Sequence, residues 1–310
     1  MMHISLGLAL GGGGARGFAH IGVLTVFERE KIPIHCIAGT SSGALVGGAY
    51  AAGVTPEELR GRMTAYLESD EFQSSAINAV EKANERGDCS MARRIQYYFR
   101  NRLWLLQAMF KPGIMTSEDF QRMIDYFIPD IDVSDTIIPF RPVATDLISG
   151  ERVVFTEGSL RRSVMASCAV PGAIGPLCDG IRCLADGGIV SLVPVTTARE
   201  AGADVVVAVS VERPLHTDGP LKTAQEICER ANEVTFAHLA RHEMKGADII
   251  IHPDVGDMNW ADFSRGADVI DKGKDAAIAA VETTRRTIAR KRWRCLLRGI
   301  VCSSSEKNSG

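Results

Sequence analysis

The residue best equipped for chemistry in this chain is Ser41, in Gly39-Thr40-Ser41-Ser42-Gly43. The apolar run Cys36-Ile37-Ala38 leads into it, and an Ala/Gly/Leu/Val-rich helical stretch follows. A G-x-S-x-G segment between a strand and a helix mounts a serine on a sharp turn, its hydroxyl exposed for nucleophilic attack. Gly39 and Gly43 leave room for the backbone to pass close to itself. The helix that begins after Ser41 would turn N–H groups and its positive dipole end toward an oxyanion. Ser and Thr are also favoured helix N-caps, so this stretch alone equally allows Thr40 and Ser41 to be caps and nothing more.

A second candidate is Gly12-Gly13-Gly14-Ala15-Arg16-Gly17, which fits G-x-G-x-x-G after a strand and before a helix. A dinucleotide site also needs an acidic residue about 20 positions on, at the end of the next strand. Gly39-Thr40-Ser41 stands there instead. Exposed backbone N–H groups beside a serine turn fit an oxyanion hole better, with phosphate binding as the alternative.

A nucleophilic serine needs a base. Of the histidines at 3, 20, 35, 216, 238, 242 and 252, His252 is the best conventional candidate, because it follows Ile249-Ile250-Ile251. Its Pro253-Asp254 surroundings read as ordinary loop. His20, one helical turn beyond Arg16, could face the site, although a packed or surface helical histidine is the commoner outcome. Asp186 is more persuasive: it ends a buried strand, and Gly187-Gly188 after it leaves backbone room for close approach to another turn. Asp-Gly is also a common plain turn.

These residues need elements to position them. Ile4–Leu10 reads as a buried strand, followed by the glycine loop and a helix with Phe18, Ile21, Val23, Leu24 and Phe27 toward a core. Residues 32–38 and 42–52 read as the next strand and helix, a βαβ unit with parallel strands and a right-handed crossover. Both glycine-rich turns then lie at the C-terminal strand ends, where open α/β sheets build their sites. Thr55 caps a helix that opens at Pro56. Residues 70–112 read as mostly helix, a cover beside the site. Beyond them come helix 116–127, strands 137–146 and 152–156, helix 159–168, strand 181–185, helix 195–202, strand 204–211, helix 222–246, strand 248–252 and helix 264–290.

At 310 residues the chain can bury a large core. Its composition, 45% hydrophobic and 24% charged, is that of an ordinary globular protein, and a formal net charge of −3 points to no nucleic-acid partner. Eight scattered cysteines without a C-x-x-C pair argue against zinc and a disulfide framework, and fit a reducing compartment. No basic n-region or cleavage site marks a signal peptide. Residues 32–56 carry no Asp, Glu, Lys or Arg, enough length for a bilayer span. Pro33, His35 and five glycines interrupt them, so a buried strand followed by a buried helix is expected.

Taken in order, the loop Gly11–Gly17, the elbow Gly39–Gly43, Ala144-Thr145-Asp146-Leu147, Gly150-Glu151, Ala166–Gly172 and Asp186-Gly187-Gly188 resemble the patatin-like phospholipase family. The resemblance spans roughly residues 4–285 and looks closest to small bacterial single-domain members. It implies a three-layer α/β/α fold with a mostly parallel central sheet. It also implies a Ser–Asp dyad: Ser41 as nucleophile and Asp186 as base. Backbone N–H groups of Gly12, Gly13 and Gly14, with that of Ser42, would form the oxyanion hole. Gly39, Gly43, Gly17, Gly187 and Gly188 would support these motifs, Arg16 would brace the glycine loop, and Asp146 would be structural. The implied activity is hydrolysis of lipid acyl esters, phospholipid or lysophospholipid, without metal or organic cofactor. Acyl transfer by the same dyad, or a non-catalytic nucleotide-binding protein, are the alternatives.

The acyl-hydrolase domain is expected over 1–285, with 286–310 a basic helix and polar tail. Residues 285–298 hold Arg285, Arg286, Arg290, Lys291, Arg292, Arg294 and Arg298 without an acid. On a helix, Ala289, Trp293, Leu296, Leu297 and Ile300 share a face, the pattern of a helix lying on anionic lipid. The alternative is packing on its own domain with solvated arginines. A cytoplasmic protein with peripheral membrane contact through 285–301 is the resulting expectation.

Overall fold

A computed structural model of the protein describes residues 4–73, 115–215, 221, 223–260 and 262–305. The expected cover over 70–112 lies, beyond Gln73, outside the described residues. The strands are β1 (Leu6–Leu10), β2 (Cys36–Thr40), β3 (Phe140–Asp146), β4 (Arg152–Val154), β5 (Leu177–Cys178), β6 (Cys183–Asp186), β7 (Val205–Val209) and β8 (Ile249–Ile251). The helices are α1 (Ala19–Arg29), α2 (Ser42–Ala51), α3 (Pro56–Glu68), α4 (Asp70–Gln73), α5 (Ser117–Phe127), α6 (Leu160–Ser167), α7 (Val195–Glu200), α8 (Ala224–Met244) and α9 (Gly266–Ser305). All strands join one sheet along the path β5-β6-β3-β2-β1-β7-β8, with β4 also on β3. The pairs β1–β2, β1–β7, β2–β3 and β7–β8 are parallel; β4, β5 and β6 pair antiparallel.

The central strands are apolar throughout because both their faces are covered, as in parallel sheets generally. Leu6, Leu8, Leu10, Ile37, Val205, Val207 and Val209 enter the larger core, shared with α1, α2, α6 and α9. The intervening Ala9, Cys36, Ala38, Val206 and Ala208 face a thinner core under α7 and α8. This period-2 division of large and small side chains builds the three-layer α/β/α architecture. Residues 32–56 are the expected buried strand and helix, β2 and α2, and among the described residues no helix is long and apolar enough to cross a membrane.

One local arrangement governs the site. Backbone bonds on the β2 and β6 side of β3 involve odd-numbered residues flanking its two ends (Ile37 N–H to Pro139 O, Leu147 N–H to Cys183 O). Those to the β4 side leave from even ones (Phe155 N–H to Pro142 O, Asp146 N–H to Glu151 O). Thus β2 and β6 share one edge of β3 and meet end to end, Thr40 opposite Val143 and Asp186 opposite Ala144.

One feature departs from the cysteine expectation. Cys178 and Cys183 are disulfide-bonded, because the β5–β6 hairpin sets them directly opposite each other. The hairpin is what brings them together; a five-residue separation does not advertise it in the sequence.

Helix α9 is continuous from Gly266 to Ser305, so the expected division at 285/286 falls within one helix. It packs along α1 in the same direction: an added Cβ at Gly273 would strike Ala19, and Arg285 bonds Glu30 at the far end of α1. Beyond Arg285 the helix therefore continues toward the end of the sheet opposite the glycine-rich turns.

Candidate active site

Ser41 sits between β2 and α2 with φ 54° and ψ −124°, a conformation that a non-glycine residue holds only when its surroundings impose it. The surroundings are tight. A Cβ on Gly39 would stand 2.7 Å from the Gly43 carbonyl oxygen, and one on Gly43 would lie 2.1 Å from that of Leu10. Neither hydroxyl of the turn caps α2: Ser41 makes no side-chain cap bond, and Thr40 Oγ1 donates to the Ser191 carbonyl at 2.9 Å.

Asp186 reaches this turn because β6 ends against the end of β2. Its carboxyl is buried, with Oδ1 accepting the Gly188 N–H at 2.7 Å. The Ser41 hydroxyl lies close enough to favour the ionised carboxyl without completing a hydrogen bond, so Oδ2 is buried and unpartnered. Burial dominates and pushes the carboxyl up to about 6, against the opposing effects of Ser41 and the Gly188 N–H. Gly187 is required by contact: a Cβ there would meet the Val143 carbonyl oxygen at 2.2 Å. Past it the chain crosses the strand ends to α7, held by Glu243, which accepts from Ser191 Oγ at 2.5 Å and the Val193 N–H at 2.8 Å.

The glycine loop lies on the other side of Ser41, where a Cβ on Gly12 would be 3.2 Å from Ser41 Cβ. Here one expected donor is already engaged: the Gly12 N–H donates to the Leu192 carbonyl at 3.0 Å and is not free for an oxyanion. The crossing segment after Asp186 supplies that acceptor. The N–H groups of Gly13, Gly14 and Ser42 make no hydrogen bond among the described residues. Gly17 lets the turn after the loop close on the elbow, since a Cβ would lie 2.2 Å from Ser42 Oγ. Arg16 is buried and braces the loop, its Nε donating to the Gly13 carbonyl at 3.1 Å and its guanidinium 3.7 Å from Glu212.

The histidines lie elsewhere. His20 is fully buried with Nε2 2.8 Å from the Gly11 carbonyl oxygen, and burial lowers its pKa to about 4, so the neutral ring donates to that oxygen. It supports the loop from behind. His252 is exposed after β8, which is three strands from β2, about 14 Å across the sheet. Asp146 accepts from the N–H groups of Ile148 and Cys183 and from Ser149 Oγ, a structural turn carboxylate.

A sequence model of the patatin-like phospholipases matches residues 8–199, a span that holds the glycine loop, the elbow and Asp186. The chain belongs to this family. It is 34% identical over 204 residues to an uncharacterised NTE family protein of Mycobacterium tuberculosis, covering 66% of this chain and 48% of that one. It is 31% identical over 216 residues to patatin-like phospholipase domain-containing protein 6 of Homo sapiens, covering 69% of this chain and 14% of that protein. This patatin-like chain therefore spans half or less of the curated relatives it matches. Among solved structures, VipD from Legionella pneumophila aligns over 91% of this chain and 67% of its own, at 16% identity and a TM-score of 0.49.

The family motifs led to the elbow, the loop and Asp186. They gave no role to Ser167, Cys168 and Ala169, which contact the backbones of Ser41 and Asp186. The signal for them was their place in the Ala166–Gly172 block of the resemblance, at the end of the helix expected over 159–168.

Proposed function

We propose that this chain is a serine acyl hydrolase that cleaves lipid acyl esters, phospholipid or lysophospholipid, through a Ser41–Asp186 dyad. The observation that carries the reading is the buried, unpartnered Oδ2 of Asp186 beside the hydroxyl of a strained elbow serine. Ser41 Oγ attacks the ester carbonyl while its proton passes to Asp186, and the oxyanion takes N–H donors from Gly13, Gly14 and Ser42. Collapse expels the alcohol, which recovers the proton, and leaves Ser41 acylated. Water, deprotonated by Asp186, then releases the fatty acid and restores the serine. A carboxyl raised to about 6 is a better base than an ordinary aspartate, and it is ionised at neutral pH. No step calls on a metal or organic cofactor.

The test is direct. Ser41→Ala and Asp186→Ala should each abolish hydrolysis of a p-nitrophenyl acyl ester with the fold intact, and a fluorophosphonate should label Ser41. In wild type, kcat/KM should rise with pH through about 6. Near wild-type turnover by Asp186→Ala would overturn the dyad.

The end of α9 supports a peripheral contact with anionic lipid from the cytoplasmic side. Trp293, Leu296 and Leu297 are exposed beside exposed Arg290, Arg292 and Arg294. Because this helix runs away from the Ser41 end of the sheet, it would act as a tether and leave substrate entry to the elbow face. Reversing Arg290, Arg292 and Arg294 to Glu in the full chain should abolish sedimentation with anionic liposomes; unchanged binding would refute the contact.

A further inference from the structure

The elbow interrupts a β-ladder. In the β2–β3 register, where Thr40 lies opposite Val143, the next ladder bond would run from the Ser41 N–H to the Val143 carbonyl. That bond is replaced. The hydroxyl of Ser167 accepts from the Ser41 N–H at 3.0 Å and donates to the Val143 carbonyl at 2.6 Å. Ser167 is fully buried, and its hydroxyl fills the gap where β2 and β6 meet on the edge of β3. The next two residues continue the contact. Cys168 Sγ donates to the Ser41 carbonyl at 3.1 Å, and the Ala169 carbonyl accepts the Asp186 N–H at 2.9 Å. Three consecutive residues at the end of α6 therefore hold both polar groups of the Ser41 backbone and the N–H of Asp186.

We infer that Ser167 is a positioning residue for the nucleophile, and that the Ser167–Ala169 turn sets the spacing of Ser41 and Asp186. The inserted hydroxyl lets the chain leave the ladder one residue early. Ser41 can then adopt its positive φ without leaving a buried N–H unpaired, while the same hydroxyl satisfies the Val143 carbonyl stranded beside Gly187. Without the hydroxyl, two backbone groups face each other across a void. The elbow relaxes toward the direct ladder bond, turning Ser41 Oγ away from Asp186. The Cys168 thiol, which burial and then the Asp186 charge keep well above the ordinary cysteine range, stays protonated as a donor. This inference rests on the proposed Ser41 nucleophile.

The test compares wild type, Ser167→Ala, Cys168→Ala and Cys168→Ser at a temperature where each is folded, by ester hydrolysis and by the rate of fluorophosphonate labelling at Ser41. Ser167→Ala should lower kcat and the labelling rate together by about 10- to 100-fold, the effect of a displaced reacting atom, with KM nearly unchanged. The acidic limb of its kcat/KM profile should move up, because Asp186 loses the neighbouring hydroxyl that favours its anion. Cys168→Ala should lose less, and Cys168→Ser, which keeps a donor, should recover most of that loss. A Ser167→Ala protein that is less stable but labels at the wild-type rate would show a purely structural role and overturn the inference. If Ser167→Ala does not fold, the Cys168 pair decides: equal labelling by Cys168→Ala and wild type overturns it. Wild type that takes no label at Ser41 removes the nucleophile itself, a failure of the functional reading that is distinct from the other two.

Discussion

Asp186→Asn should make the protein more stable as the pH rises, while removing its activity. The carboxyl is buried and held at about 6, against 3.8 for an ordinary aspartate. Between those values the folded protein binds a proton that the unfolded chain has released, so the stability contributed by this group falls as pH rises through that window. Above it the full penalty applies: at about 1.4 kcal/mol per pKa step, the ionised carboxyl destabilises the fold by roughly 3 kcal/mol. Asparagine has the same shape, keeps an oxygen to accept the Gly188 N–H at 2.7 Å, and never ionises. The variant should match wild type below about pH 4 and exceed it by roughly 3 kcal/mol at pH 8. The assay is urea unfolding of both proteins at pH 4, 6 and 8, reading the difference at each pH. The difference is the quantity to use, because His20 gives both proteins the same opposing slope in that range, which the difference cancels. A gap that stays constant from pH 4 to pH 8, or a variant less stable at pH 8, would refute a raised pKa at Asp186.

His20, lowered to about 4 from 6.5, contributes the reverse sign: the unfolded chain binds the extra proton, so stability is lost as pH falls from 6.5 toward 4. His20→Leu should flatten that loss in urea titrations, yet reduce stability at pH 8 by about 1–3 kcal/mol by orphaning the Gly11 carbonyl. Gly187→Ala should lower the urea midpoint by an amount equivalent to at least about 2 kcal/mol, since its methyl meets the Val143 carbonyl oxygen at 2.2 Å. His252→Ala should hydrolyse p-nitrophenyl esters at the wild-type rate, because its strand is remote from the elbow.

The sequence by itself determined the parts that depend on neighbours in the chain. A glycine loop after one apolar run and G-x-S-x-G after the next mark two turns at the same end of a parallel sheet. Their spacing, with Asp186-Gly187-Gly188 downstream, was enough to identify the family. These features are local, because a strained turn and a close backbone contact each demand small residues at fixed offsets. Only the tertiary structure decided how residues 145 positions apart meet, with β6 arriving end to end against β2 on the edge of β3. The same packing engaged the Gly12 N–H with Leu192, inserted Ser167 into the ladder and turned the basic helix away from the elbow. Each of these outcomes depends on which backbone groups find partners once the layers close. A hydrogen bond between distant strands leaves no periodic pattern in the residues that make it.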